Sequence, residues 1–246
     1  MVYRVRLAKL EPVMFVSHLG IMRSFERAVR RADLPVAYSG GYHPHPKISF
    51  AIALGVGMTS EAEYVDIELL DDEAPLGAAQ LLQRLNDALP PGLEAIAAAR
   101  VEGQPALAAS VAWASYRVDV PKGVADAAAR FMNLDHYVVE VTGKGGPRQV
   151  DIRPLVHSLK ASGASGRGDG DGDGRYNASV EFTVACGGRA HLRPGEVMSA
   201  LGSLASEPVR GDGVGVHRTG LFFDIYGELV LPIEHECKDL VIAVGQ

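Results

Sequence analysis

The stretch MVYRVRLAKLEPVMFVSHLGIMRSFERAVRRADLP, residues 1–35, decides how this chain is read. From Val2 to Leu10, Val2, Arg4 and Arg6 alternate with Tyr3, Val5 and Leu7, the two-residue period of a half-buried strand. Ser17 stands where an N-cap belongs, because its hydroxyl can accept a backbone N–H of the first helical turn. From His18 to Ala32 the apolar residues Met22, Phe25, Val29 and Ala32 recur at helical spacing, and Pro35 ends the region. The chain therefore opens as strand then amphipathic helix.

Working outward, Ser39-Gly40-Gly41 opens a loop that runs through Pro44 and Pro46. Ile48–Leu54 and Tyr64–Leu70 read as strands. Pro75–Leu89 reads as a helix with proline at its first position, stopped by Pro90-Pro91-Gly92, and Leu93–Val101 as a further strand. The order is β-α-β-β-α-β. A second copy follows: strand Trp113–Val120, Ala-rich helix Gly123–Met132, strands Tyr137–Thr142 and Arg175–Ala185, helix Pro194–Leu204 and strand Val214–Ile225. Two such orders in succession predict an α+β chain of two tandem ferredoxin-like units, each an antiparallel sheet with helices on one face. The Gly-, Pro- and Ala-rich stretch Gly103–Ala109 sets the expected domains at 1–106 and 107–246. Ser162–Gly174 is a Gly/Asp tract that cannot bury apolar surface and reads as a disordered loop. Asp169, Asp171, Asp173 and Gly174 match the start of a calcium loop, but the twelfth position is Val180, where a bidentate Glu is needed.

The 246 residues carry a net charge of −6, which argues against bulk affinity for nucleic acid. The charge is segregated, however. Residues 1–47 hold eight Lys/Arg against three acids, whereas residues 60–73 hold seven acids and no base. The opening residues alternate apolar and basic, so no secretory signal is expected, and no stretch approaches a membrane span. Only two cysteines occur, Cys186 and Cys237, expected as thiols in a reducing cytoplasm.

Arg23, Arg27, Arg30 and Arg31 fall at i, i+4, i+7 and i+8 of the first helix, within roughly a quarter of its circumference. Four guanidinium groups repel one another unless something anionic faces them. Phosphate matches their forked donors, and the acidic segment Glu61–Glu73 is the intramolecular alternative. In Tyr38-Ser-Gly-Gly-Tyr-His-Pro-His-Pro-Lys47, Tyr42, His43, His45 and Lys47 are suited to stacking on bases and touching phosphate. A plain turn is the alternative, and two histidines are too few ligands for a metal. In the second half, Arg153, Arg193, His217 and Arg218 add basic groups at element ends, and His235-Glu-Cys237 is an isolated ligand-like triplet. No iron–sulfur Cys run, phosphate-binding loop or nucleophile elbow occurs, so no cofactor and no metal are expected.

The chain resembles a family of bacterial radical-SAM-associated proteins of unknown function. The resemblance is carried by Phe15-Val-Ser-His-Leu with Arg23, Glu26-Arg27 and Arg30-Arg31, and by Leu34-Pro-Val-Ala-Tyr-Ser-Gly-Gly-Tyr-His-Pro-His-Pro-Lys-Ile-Ser-Phe50. Glu63-Tyr64, Leu89-Pro-Pro-Gly-Leu93, Asp151-Ile-Arg-Pro154, Arg193-Pro-Gly-Glu196 and His217-Arg-Thr-Gly220 extend it. The family usually carries Asp where this chain has Gly20, and commonly Asn where it has His43. The resemblance implies a domain encoded beside, or fused to, a radical-SAM iron–sulfur protein, in a setting that points to RNA.

Three functions follow as expectations. The preferred one is a non-catalytic partner that binds tRNA or rRNA for modification or processing by the radical-SAM enzyme. Arg23, Arg27, Arg30 and Arg31 would contact phosphates, and Tyr42, His43, His45 and Lys47 bases or backbone, with Arg153, His217 and Arg218 adding contacts from the second half. No DNA and no membrane are expected as partners. The second is a metal-independent endoribonuclease similar to CRISPR repeat-processing enzymes, with His18 as general acid/base beside the Arg stripe. The third is a protein–protein adaptor docked through the acidic 60–73 segment.

Overall fold

A computed structural model describes residues 1–70, 76–103, 106–143, 146–163, 176–188, 190–209, 215–235 and 237–243. The chain is a mixed α+β protein with mostly antiparallel strands and, among the described residues, five α-helices. It divides into two units: Met1–Val111 with Gly220–Gln246, and Ala112–Thr219.

The first unit begins with strand β1 (Val2–Lys9), a short 3₁₀ turn at Glu11–Val13 and helix α1 (His18–Arg31). Strands β2 (Ile48–Phe50) and β3 (Thr59–Glu68), helix α2 (Ala78–Ala88), strand β4 (Leu93–Val101) and the one-turn helix α3 (Leu107–Ser110) follow. In its sheet β1 lies between β4 and β3, and β2 pairs with β3 off the main strand path, each of these pairs antiparallel. Tyr3, Val5 and Leu7 of β1 bury with Phe25 and Val29 of α1 and Leu81 and Leu85 of α2. That is the apolar face the alternation marked. The opposite face departs from a half-buried strand, since Arg4 is fully buried. Its Nε and Nη2 donate to the two carboxylate oxygens of Asp66 at 2.8 and 2.9 Å, and Nη1 donates to the Pro232 carbonyl at 2.9 Å. Phe223 lies under the guanidinium, 5.5 Å from its carbon to the ring centroid. A buried cation needs such partners, and they come from residues 66, 223 and 232, far from it in sequence.

Several element bounds differ from expectation. The expected strand Ile48–Leu54 is paired only over Ile48–Phe50, and the expected Tyr64–Leu70 strand begins earlier, at Thr59. The helix expected from Pro75 begins at Ala78, and Pro75 itself lies outside the described residues.

The second unit contains β5 (Val111–Val120), α4 (Lys122–Met132), β6 (Val138–Gly143), β7 (Gly146–Asp151), β8 (Val156–Gly163), β9 (Ala178–Ala185), α5 (Pro194–Ala205) and the start of β10 (Val216–Ile225). Its sheet order is β10-β5-β9-β8, and β9 pairs antiparallel with both β5 and β8. The expected strand Tyr137–Thr142 is a strand, but not of this sheet. It pairs with β7 in a separate two-stranded hairpin, and β8 takes the sheet position beside β9. Residues 164–174 of the Gly/Asp tract lie outside the described residues; Ser162 and Gly163 end β8. Beyond β10 the chain adds β11 (Glu228–Val230), paired with β10, and β12 (Cys237–Ile242), paired with the free edge of β4. No helix among the described residues is long and apolar enough to cross a membrane.

Candidate functional site

Helix α1 starts as its sequence dictates. The Ser17 hydroxyl accepts the Gly20 N–H at 3.3 Å, and a side chain at Gly20 would run into Val16, whose Cγ1 lies 2.6 Å from the Cβ position. Ile21, Phe25, Ala28 and Val29 are buried, which leaves Arg23, Arg27, Arg30 and Arg31 exposed on the other side. These four do not act alike. Arg27 Nη2 donates to Ser24 one turn earlier at 3.1 Å. Arg31 Nη2 donates to the carbonyl of Ala88, the last residue of α2, where a cation meets the negative end of a helix dipole. Among the described residues, no carboxylate lies within ion-pair distance of Arg23, Arg27, Arg30 or Arg31. Two carboxylates of the acidic segment serve other groups: Asp66 holds Arg4, and Glu68 Oε1 accepts Lys47 Nζ at 2.6 Å.

After α1, residues 38–46 form a finger with a closed neck. Tyr38 and Pro46 bridge, the Ser39 N–H donates to the His45 carbonyl at 2.8 Å, and the His45 N–H donates to Ser39 Oγ at 3.0 Å. Gly41 adopts φ +110°, which glycine alone takes without strain. Tyr42, His43 and His45 are all exposed, with the Tyr42 and His43 rings edge-on at 5.0 Å. Lys47 leaves the finger toward Glu68, so its charge has a partner at the surface. His18 is half-buried, its ring edge-on to Phe50 at 5.7 Å.

The second-half residues are built into the scaffold. Arg153 donates from Nε to the Leu134 carbonyl (3.0 Å), from Nη1 to Val156 (3.2 Å) and from Nη2 to Met132 (3.1 Å). Met132 ends α4, so the guanidinium closes that helix. Asp151 completes the clamp: Oδ1 accepts the N–H groups of Tyr137 and Arg153, and Oδ2 meets His136 Nδ1 at 2.7 Å. The hydrogen bond to Asp151 raises the His136 pKa above its ordinary 6.5, and the same bond lowers that of Asp151. Arg218 is buried, its Nη2 donating to the Tyr116 hydroxyl at 3.3 Å and its guanidinium over the Tyr116 ring. His217 beside it is half-buried. In Arg193-Pro-Gly-Glu196 the Glu196 carboxylate accepts the Arg193 N–H at 2.7 Å, which caps α5.

The His235 ring lies edge-on to Phe223 and Cys237 Sγ donates to the Pro232 carbonyl, while Glu236 is outside the described residues. No cluster of three His, Cys, Asp or Glu able to hold a metal occurs among the described residues. Both cysteines are free thiols. Burial pushes Cys186 up to about 11 and raises Cys237 as well, so neither favours the thiolate.

The structure also exposes side chains that periodicity did not single out. Phe15 is 64% exposed, Leu19 54% and Tyr38 51%, the first two near the stripe in sequence and the third at the neck of the finger. Apolar identity would have placed them inside; only the packed structure shows them at the surface.

No curated protein matches the chain in sequence. A family model does match, over residues 2–194, a span that takes in α1, the finger and the Asp151–Arg153 clamp. The chain belongs to the family described as uncharacterized protein conserved in bacteria (DUF2344).

Proposed function

We propose that this chain is a non-catalytic RNA-holding protein that presents tRNA or rRNA to a radical-SAM iron–sulfur enzyme for modification or processing. The observation that carries the RNA side is the exposed trio Arg23, Arg27 and Arg30 on α1, without a described carboxylate in reach. Guanidinium forks suit phosphate oxygens bidentately, and a local cationic strip binds polyanions even on an acidic chain. The finger supplies His43, His45 and Tyr42 for bases or backbone, and Lys47 can join by leaving Glu68, a surface pair of small worth. The radical-SAM partner rests on the resemblance carried by residues 15–50. The neighbours β4-β1-β3, with β2 paired to β3, and β10-β5-β9-β8 support the tandem ferredoxin-like reading, since each sets the first and third strands of its set side by side.

The test is fluorescence anisotropy with cellular tRNA and rRNA fragments across a salt series. Three phosphate contacts to single-stranded segments give a slope of about −2 in log K against log salt, hence roughly 20-fold weaker binding at 200 mM than at 50 mM. The triple Arg23, Arg27, Arg30→Ala variant should flatten that slope. Binding that does not respond to salt, or no binding with or without a radical-SAM partner, ends the proposal. Incubation in EDTA adds a check: cleavage abolished by His18→Ala would replace a holding role with a nuclease.

A further inference from the structure

We infer that the RNA received by α1 is unpaired, with its bases stacking on Phe15, Tyr38 and Tyr42. This rests on the RNA reading above and names the class of segment bound. Three rings flank the Arg stripe in the chain: Phe15 lies two residues before the Ser17 cap, and Tyr38 and Tyr42 follow the end of α1. They are 64%, 51% and 94% exposed.

The backbone is tied next to Phe15 and at Tyr38. Phe15 sits in a turn where the Val16 N–H donates to Val13 at 2.9 Å. The carbonyl just before it, Met14 O, accepts both the Gly57 N–H at 2.9 Å and Lys9 Nζ at 2.8 Å. Tyr38 is bridged to Pro46 at the neck of the finger, and Tyr42 rides at its tip. Rings held on an ordered backbone lose little freedom on stacking, so more of the contact appears as affinity.

Rings beside cations are what single-stranded nucleic acid requires: charge follows the backbone while each exposed base face finds a plate. An A-form duplex gives such rings nothing, since its base faces are hidden in the stack and only phosphates and 2′-hydroxyls reach the surface. The unpaired loops of a structured tRNA or rRNA are the segments that fit. Phe15 and Leu19 are also two exposed apolar side chains that a protein surface could cover. Exposed rings that precede and follow the stripe in the chain favour bases, and the test includes the protein case.

The full chain is titrated by anisotropy against a labelled 12-nucleotide oligouridylate and a 12-base-pair RNA duplex, with poly-L-glutamate as competitor. The single strand should bind at least tenfold more tightly than the duplex. Tyr42→Ala and Phe15→Ala should each weaken the single strand about tenfold and leave the duplex unchanged. Tyr42→Phe should bind like the parent, and Arg27→Ala should weaken both RNAs. Equal affinity for the two RNAs, or ring variants without effect, overturns the inference and leaves the RNA reading standing. Binding to neither RNA overturns the inference, and the titration with tRNA and rRNA fragments then decides the RNA reading. Competition by poly-L-glutamate as strong as by oligouridylate assigns the surface to an acidic protein and also ends both.

Discussion

Arg153→Ala tests whether the Asp151-Ile-Arg-Pro154 segment holds the second unit together. Arg153 makes three charge-assisted bonds to the carbonyls of Met132, Leu134 and Val156, at 3.0 to 3.2 Å. Hydrogen bonds from charged donors contribute about 1.5–3 kcal/mol each. These are at the long end of the distance range and the residue is only half-buried, so about 1 kcal/mol apiece is appropriate. Alanine removes all three and leaves the end of α4 without its cation, a loss of about 3 kcal/mol. Lysine keeps the charge but gathers its donors on one nitrogen, which cannot stand at all three guanidinium positions, so Arg153→Lys should recover only part of that loss. Against a total stability of about 5–15 kcal/mol the alanine variant is severe but foldable. Urea unfolding followed by circular dichroism measures it, with the slope checked so that a shifted midpoint reports stability alone. A loss under about 1 kcal/mol for alanine, or a lysine variant as stable as the parent, would refute the clamp.

Arg27→Ala and Arg31→Ala should separate: the first lowers RNA affinity at unchanged thermal stability. The second, by freeing the Ala88 carbonyl, lowers stability by about 1 kcal/mol and changes affinity less; thermal melts and anisotropy on the same samples decide. Arg4→Met should destabilise by about 3–5 kcal/mol in urea, because Asp66 loses its bidentate partner. Arg4→Met with Asp66→Leu should recover most of the loss, and a double variant no better than the single would show that charge is not the cause. The His136–Asp151 pair makes stability depend on pH. The raised imidazole value contributes fully below its ordinary 6.5 and is lost as pH rises through the folded value. The lowered carboxyl value contributes above its ordinary 3.8 and is lost as pH falls through the folded value. Parent minus His136→Gln stability should therefore be largest between 3.8 and 6.5 and vanish in alkaline solution; a flat difference across pH would refute the pair.

The sequence by itself determined the local elements: the β1 alternation, the Ser17 cap, the Arg stripe and the start of α5 at Pro194. Each depends on residues within one or two turns, so periodicity and capping chemistry suffice. Which strand joins which sheet was a tertiary decision. Tyr137–Thr142 has the pattern of a sheet strand, yet Asp151 and Arg153 tie its hairpin to the end of α4, and β8 pairs with β9 instead. The roles of the cations were decided in the same way. Arg4, Arg27, Arg31 and Arg153 carry the same side chain. One is buried on Asp66, one is exposed, and two donate to helix-end carbonyls. Charge is written in sequence, but the partner that neutralises or frees it is brought close only by the folded chain.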